Sequence, residues 1–158
     1  MDKITFLLTI FFCCTLLSAQ EPTTETPKFE QGETYFYNKF HTGDPLAFKQ
    51  ADSVFTALKA SGDFASPAQE IATDLYLIRI GHSRAAEDDL KLIAELIDTY
   101  DTQNVDNQQL YDMLLYYQQF LRFFIGAPDA EQKIVDIVKA QLEHKEPNYE
   151  IVAMAYDN

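Results

Sequence analysis

Three histidines are the side chains best suited to acid–base or metal chemistry, and they lie far apart in the chain at His41, His82 and His144. No glutamate stands three residues before any of them, so the Glu-x-x-His ligand pair of di-iron helical bundles is missing. Neither HExxH nor CxxCH occurs, which argues against zincin and c-type haem chemistry. We therefore predict ordinary polar side chains at helix ends and no metal site.

Serine and carboxylate chemistry lacks its usual settings as well. No serine lies in a Gly-x-Ser-x-Gly nucleophile elbow. The run Glu87, Asp88, Asp89 lacks the spacing of a calcium loop, and carboxylates are favoured at the positive end of a helix. We predict a protein that is not an enzyme and holds no cofactor. A small-ligand or catalytic bundle that uses an aromatic helix as a pocket wall is the alternative.

Aromatic side chains are the remaining candidates for a functional site, since the chain has 9 tyrosines and 12 phenylalanines. Core packing accounts for most of them. Tyrosines that are not buried could line a recognition groove, because they combine an apolar ring with a polar tip. Tyr111 lies apart from the main apolar arc of its helix and is the first candidate for partner binding, followed by Tyr35 and Tyr37.

The helix that carries most of these rings is predicted over residues 107–125. At 100° per residue its apolar side chains cover more than half of the circumference, whereas a surface helix needs a stripe of only about 100°. These side chains are Leu110, Met113, Leu114, Tyr116, Tyr117, Phe120, Leu121, Phe123, Phe124 and Ile125. The width of this arc predicts a central helix that is covered by neighbours on two sides.

Glycine and proline divide the rest of the chain into further helices. Glycines fall at predicted helix ends and prolines at predicted starts: Gly43, Gly62, Gly81 and Gly126, and Pro45, Pro67 and Pro128. No glycine or proline interrupts a periodic run, and runs of alternating β-branched residues are absent. We predict a single all-α domain over residues 35–158, with about six helices in antiparallel αα-hairpins and a short helical tail from residue 148.

Three stretches of the chain repeat one pattern after Gly43, Gly81 and Gly126. Alanine recurs four residues on, and apolar residues recur eleven and twelve residues on: Ala47, Ala85 and Ala130, then Val54, Leu92 and Ile137, then Phe55, Ile93 and Val138. Each unit is helix, tight turn, helix, and the early alanine allows the two helices to approach closely. The pattern resembles the tetratricopeptide-repeat-like class of helical hairpins over residues 35–146. The resemblance implies a protein-binding scaffold with a groove lined by the first helix of each hairpin. A plain helical bundle explains the same punctuation.

The first residues have the order of a secretory signal peptide: Lys3, an apolar run over residues 4–17, then small residues. We predict a signal peptide over residues 1–19 and a disordered linker over residues 20–34, which is rich in Pro, Thr and Glu. Cleavage would remove Cys13 and Cys14 and leave no thiol for disulfides or metal sites. An uncleaved anchor and a lipidated cysteine are the alternatives.

The net charge of −13 argues against nucleic acids and anionic membranes as partners, because such a surface repels phosphate backbones and anionic lipids. We expect no nucleic acid and no membrane insertion after signal cleavage. The leading hypothesis is an exported, non-catalytic protein-interaction module, periplasmic or secreted. The alternative is an acidic helical inhibitor or immunity-type protein that binds a basic partner. Salt separates the two, since charge-driven binding weakens steeply with ionic strength.

Overall fold

Seven α-helices form the computed structural model, which describes residues 28–81 and 85–156. They are α1 Lys28–Thr42, α2 Ala47–Ser61, α3 Pro67–Ile80, α4 Ala86–Thr102, α5 Gln108–Phe124, α6 Ala130–Glu143 and α7 Tyr149–Tyr156. These two ranges contain no strand. The all-α prediction is confirmed, and the short tail helix predicted from residue 148 is α7.

The punctuation of the sequence places the helix ends as elementary capping rules require. At the start of α3 the Ser66 hydroxyl accepts a hydrogen bond from the Gln69 backbone N–H at 3.2 Å, and Pro67 follows at the first helical position. Gly81 ends the helix with φ 78°, a left-handed conformation that a side chain would oppose. At Pro45 and Pro128, the other two predicted starts, α2 and α6 begin two residues later, after a turn.

The early alanine of the repeat behaves as predicted in two of the three units. Ala47 and Ala130 are fully buried at the starts of α2 and α6. Ala85 is exposed and precedes α4 as its N-cap residue. The prediction of close approach through Ala85 is therefore wrong, because this unit starts its second helix one residue further on, at Ala86, which packs against the core.

Two hydrophobic clusters make up the core, and α3 contributes to both. The smaller cluster joins α1 and α2 to α3 through Phe36, Ala51, Phe55 and Tyr76. The larger cluster combines α3, α4, α5 and α7: Ile71, Leu75, Ile78, Ile93, Leu110, Met113, Leu114, Tyr116, Leu121 and Ile151. Each helix packs on its neighbours in the chain, and α3 also contacts α1 and α5. The helix common to both clusters is thus α3, although α5 was predicted to be the central one.

The last turn of α5 departs from its predicted burial. Phe123, Phe124 and Ile125 are 49%, 64% and 41% exposed, although the rest of the apolar arc lies against α3, α4 and α6. Phe124 packs on Phe120 and Phe123, with ring centroids 4.8 and 6.2 Å apart. The prediction that these three residues are covered on two sides is therefore wrong. The periodicity of one helix indicates the direction of its side chains. It does not indicate how far along that helix the neighbouring helices extend.

The first helix begins inside the segment that was predicted to be a disordered linker. Residues 28–34 belong to α1, so that prediction is wrong for them, while residues 20–27 and the predicted signal peptide lie outside the described residues. The cause is tertiary. Phe29 packs edge-on against Phe55 and Tyr76, at 5.9 and 6.2 Å between ring centroids. A segment with one aromatic residue can thus order itself on rings that other helices supply.

Gly32 allows α1 to approach α2 closely. A Cβ atom at this position would lie 2.6 Å from Cε1 and 2.7 Å from Cζ of Phe55, a ring that is fully buried. Glycine inside a helix ordinarily costs about 1 kcal/mol relative to alanine. Here the close contact outweighs that cost, because the Phe55 ring is stacked on Tyr76 and has no free space to move into.

We expect Gly32→Ala to lower the free energy of unfolding by about 1–3 kcal/mol, since overpacking a filled core costs that much. Chemical denaturation followed by circular dichroism would measure it. Gly32→Ala combined with Phe55→Leu should lose much less than the sum of the two single variants, because the smaller side chain makes room for the methyl group. An increase in stability for Gly32→Ala alone would show that α1 does not pack on Phe55.

Candidate functional site

A groove with a volume of about 380 Å³ runs across α1, α3 and α5, on the side where these three helices are neighbours. Its floor is apolar and consists of Ala72, Leu75, Leu110 and Met113. Its polar lining includes the amide side chains of Gln69, Asn107 and Gln109. Asn148, just before α7, and Glu150, in the first turn of α7, also line it, and Asn148 Nδ2 donates a hydrogen bond to the Gln109 carbonyl oxygen at 3.3 Å. We refer to this cavity as the groove.

The spacing of α3 residues gives the groove its shape. Ala68, Ala72, Leu75, Tyr76 and Arg79 lie at intervals of three and four and therefore share one helix face. Alanine at the first two positions leaves the space that larger side chains would fill. The next turns carry the Tyr76 ring and the Arg79 guanidinium. The groove is therefore open beside the start of α3 and is lined by these two side chains further along the helix.

Two tyrosines and two glutamates form a hydrogen-bonded chain along the wall. The Tyr76 hydroxyl donates to Oε1 of Glu33 at 2.9 Å, and the Tyr37 hydroxyl donates to Oε2 of Glu150 at 2.8 Å. The two hydroxyl oxygens are 3.0 Å apart. Two hydroxyl protons serve three contacts, so a proton on Glu33 would complete an unbroken chain from Glu33 through both tyrosines to Glu150.

A buried guanidinium holds the far end of this chain. The Arg79 side chain is only 5% exposed, and its Nη2 forms an ion pair with Glu150 Oε1. The guanidinium carbon lies 4.6 Å from the centre of the Phe36 ring and 5.7 Å from that of Tyr76. Charge pairing and cation–π attraction therefore act together. This contact fixes the first turn of α7 against α1 and α3.

Burial controls the protonation of the groove wall. It raises the pKa of Tyr37 to about 12 and also raises the pKa of Tyr76, so both hydroxyls are neutral donors at physiological pH. Burial is also the main cause of the raised pKa of Glu33. The neighbouring carboxylates Glu30 and Glu150 add to it, while the hydrogen bond from Tyr76 opposes it. Burial thus favours the neutral form of Glu33 more than it would for an exposed glutamate.

One carboxylate of the groove has no compensating cation. Glu150 is paired with Arg79. Within residues 28–81 and 85–156, Glu33 forms no ion pair with a lysine or arginine, and Tyr76 is its only hydrogen-bond partner. A half-buried carboxylate in this setting carries a desolvation cost that a cationic ligand would relieve.

We expect Glu33→Gln to stabilise the fold at neutral pH. The folded-state pKa of Glu33 lies above its ordinary value of 4.5, so its stability contribution is complete below that pH and is lost as pH rises through the folded pKa. Glutamine keeps the acceptor for Tyr76 but cannot ionise. The denaturant midpoint of the variant should exceed that of the wild type at about pH 7, and the gap should close at about pH 4. A lower midpoint for the variant at neutral pH would contradict the raised pKa.

A larger cavity of about 520 Å³ faces the other side of α3, between α2 and α4. Asp74 lines it, two residues from Ala72 and from Tyr76 and hence on the opposite helix face. Two of its charged residues, Lys59 and Asp74, form an ion pair with each other, and the third, Glu95, is exposed. It has no aromatic wall. The groove, although smaller, combines an apolar floor and aromatic walls with a half-buried carboxylate that no cation of the described residues pairs, and we take it as the candidate site.

The three tyrosines singled out in the sequence do not meet at one place. Tyr37 lines the groove, but its hydroxyl is held by Glu150 and Tyr76. Tyr35 is half-buried and accepts a hydrogen bond from Gln31 Nε2 at 3.3 Å. Tyr111 is also half-buried, with its ring centroid 4.9 Å from that of Tyr100. Neither of these two lines the groove.

Sequence reasoning missed Glu33, Tyr76, Arg79 and Glu150. Glu33 fell in the predicted linker, and no local signal marks Tyr76 or Glu150. Arg79 could have been found, because it is the one charged residue in the apolar run Leu75–Ile80 and shares a helix face with Leu75 and Ala72. A single cation on a core-facing stripe indicates a buried partner of opposite charge.

Metal chemistry finds no ligand cluster in the described part of the chain. No group of three or more histidine, cysteine, aspartate or glutamate side chains there could hold an ion. His41 and His144 are exposed, and His82 lies outside the described residues. Within residues 28–81 and 85–156, every helix is too short or too polar to cross a membrane.

Comparison of the chain with protein-family models, with curated proteins and with solved structures gave no match.

Proposed function

We propose that this chain is a non-catalytic protein-interaction module that binds an extended segment of a partner protein in the groove. The observation that carries the proposal is the position of the groove across α1, α3 and α5, the first helices of the three predicted hairpins. A tetratricopeptide-repeat-like stack presents its binding surface on that side. The contacts of α3 with both α1 and α5 support such a stack over a closed bundle.

The dimensions of the groove suit a short peptide. Packed helix axes lie about 8–10 Å apart, so three neighbouring helices span roughly 20 Å. An extended chain covers about 3.3 Å per residue, and about six residues would cross the groove. The apolar floor can take side chains, and the amide groups of the polar lining are of the type that bonds a peptide backbone. Export to the periplasm or the medium, predicted from residues 1–19, is part of the proposal.

The proposal is tested with a substitution that fills the groove and a matched one that fills the other cavity. Ala72→Phe places a ring on the groove floor, and Thr99→Phe places the same ring in the cavity between α2 and α4. A displayed library of random seven-residue peptides is selected against the purified protein. The dissociation constants of enriched peptides should be about tenfold or more higher for Ala72→Phe, a loss of at least about 1.4 kcal/mol. They should be unchanged for Thr99→Phe.

Failure of any peptide to enrich, or equal binding by both variants, would contradict the proposal. Circular dichroism of each variant confirms that it is folded. Different enriched peptides should also compete with one another for the wild-type protein, since they share one site.

A second candidate function, an acidic inhibitor that blocks a basic partner, is favoured by the net charge of −13. It differs in its dependence on salt. Binding through the whole acidic surface should weaken by orders of magnitude between about 0.05 M and about 0.5 M salt, because the Debye length falls from roughly 14 Å to roughly 4 Å over that range. Binding in the groove, with its apolar floor, should weaken far less.

A further inference from the structure

One turn of α1 before Glu33 lies Phe29, and one turn after it lies Tyr37; all three line the groove. The spacing of four residues places them on one helix face, ring–carboxylate–ring. Tyr76 of α3 adds a third ring, 6.2 Å from that of Phe29 and 6.3 Å from that of Tyr37 between centroids. The Glu33 carboxylate is therefore bordered by aromatic side chains.

We propose that this part of the groove is a subsite for one lysine or arginine side chain of the bound segment, with Glu33 as the counter-ion and Phe29 and Tyr37 as the walls around its stem. The inference rests on the proposed function, which it deepens by naming the chemistry of the partner. A long basic side chain suits such a site because its methylene stem packs on rings while its head keeps a charged partner.

The molecule already uses this form of recognition once, within its own chain. The Arg79 guanidinium lies over the rings of Phe36 and Tyr76 and pairs with Glu150. Tyr76 thus contacts a cation on one side and donates to Glu33 on the other. Glu33, the second carboxylate of the wall, also lies beside aromatic rings, but no cation of the described residues pairs with it. A basic side chain of the partner would take that position.

Charge complementarity favours this occupant over a neutral one or a metal ion. The chain has a net charge of −13, which attracts basic segments. The negative charges of Glu150 and Glu30 act at Glu33 and add to this attraction there. A divalent metal ion would need several oxygen or nitrogen ligands. The described residues contain no such group around Glu33. A single organic cation needs only one carboxylate and its rings.

The test uses two versions of a seven-residue peptide library, identical except for the central residue, which is lysine in one and norleucine in the other. Norleucine keeps the stem and removes the charge. Binding is measured to the wild-type protein, to Glu33→Gln and to Glu95→Gln, a matched control in the cavity between α2 and α4. The lysine library should bind the wild type about tenfold more tightly than the norleucine library, as expected for a charge-assisted contact. Glu33→Gln should abolish that preference, and Glu95→Gln should retain it.

Each other outcome overturns the subsite. Equal binding of the two libraries would show that the groove has no cation subsite, while leaving peptide binding intact. A lysine preference that survives Glu33→Gln would place its origin in the overall charge. Absence of binding by both libraries would remove the proposed function and the subsite together. Misfolding does not confuse the result, because Glu33→Gln retains the acceptor for Tyr76.

Discussion

Phe55→Ala is expected to lower the free energy of unfolding by about 3–5 kcal/mol, the usual cost of deleting a fully buried phenylalanine. Phe55 is 0% exposed. Its ring is stacked on Tyr76, with 4.8 Å between centroids and 3° between planes, and it meets Phe29 edge-on at 5.9 Å. These contacts help to join α1, α2 and α3. Without the ring, this part of the packing is lost, and α1 keeps the contacts of Phe36 with Phe48 and Tyr76 at 5.3 and 4.8 Å between ring centroids.

Chemical denaturation measures this loss, and Phe124→Ala is the matched control. Phe124 is 64% exposed at the end of α5, so its removal should change stability by no more than about 0.5 kcal/mol. Hydrogen exchange adds a local reading, since the amides of α1 should lose protection first in Phe55→Ala. Equal costs for the two variants would show that the buried cluster between α1 and α3 does not stabilise the fold.

The stacked pair of Phe55 and Tyr76 links the packing of the core to the geometry of the groove. The Tyr76 ring is stacked in the core against Phe55, while its hydroxyl lies in the groove and donates to Glu33. A rigid ring gives the hydroxyl a fixed position, and the carboxylate is held in turn. Core packing on one side of α3 and α1 therefore sets the geometry of the polar wall on the other.

The helices were predictable from the sequence because their signals are local. Ser66 and Pro67 start α3 and Gly81 ends it, through contacts that span at most four residues. The same holds for the left-handed glycine Gly62 after α2. Capping and backbone conformation depend on neighbours in the chain, so a single sequence contains what is needed to place them.

The groove was not predictable, because the contacts between the tyrosines, the glutamates and the arginine of its wall join distant parts of the chain. Tyr76 and Glu33 are 43 residues apart, Arg79 and Glu150 are 71 apart, and Tyr37 and Glu150 are 113 apart. Periodicity assigns a side chain to a face of its own helix and does not name the residue opposite. The same limit explains why residues 28–34 were taken for a linker and why Phe124 was taken for a core residue.

Arg79→Met is expected to lower the free energy of unfolding by about 2–4 kcal/mol and to loosen α7 specifically. Breaking a buried ion pair costs about 3–5 kcal/mol, and the figure is reduced here because the Glu150 side chain is 26% exposed and gains some hydration. Methionine keeps the packing of the stem and removes the charge. The Glu150 carboxylate then loses its cation and keeps the hydrogen bond from the Tyr37 hydroxyl.

The effect on α7 follows from its size. A helix of 8 residues does not persist without tertiary contacts. Besides its packing on α6, α7 is held by Ile151, Met154 and Ala155 against the larger core cluster and by Glu150 on Arg79. Hydrogen exchange of residues 149–156 should therefore accelerate by about tenfold or more in Arg79→Met, while α2 changes less.

A double-mutant cycle separates the ion pair from packing. Adding Glu150→Met to Arg79→Met should return stability to within about 1 kcal/mol of the wild type, because an apolar pair of similar volume replaces the buried charges. The Tyr37 hydroxyl retains Tyr76 as its partner in that variant. Additive losses from the two substitutions, or uniform acceleration of exchange across all helices, would show that Arg79 and Glu150 do not hold α7 in place.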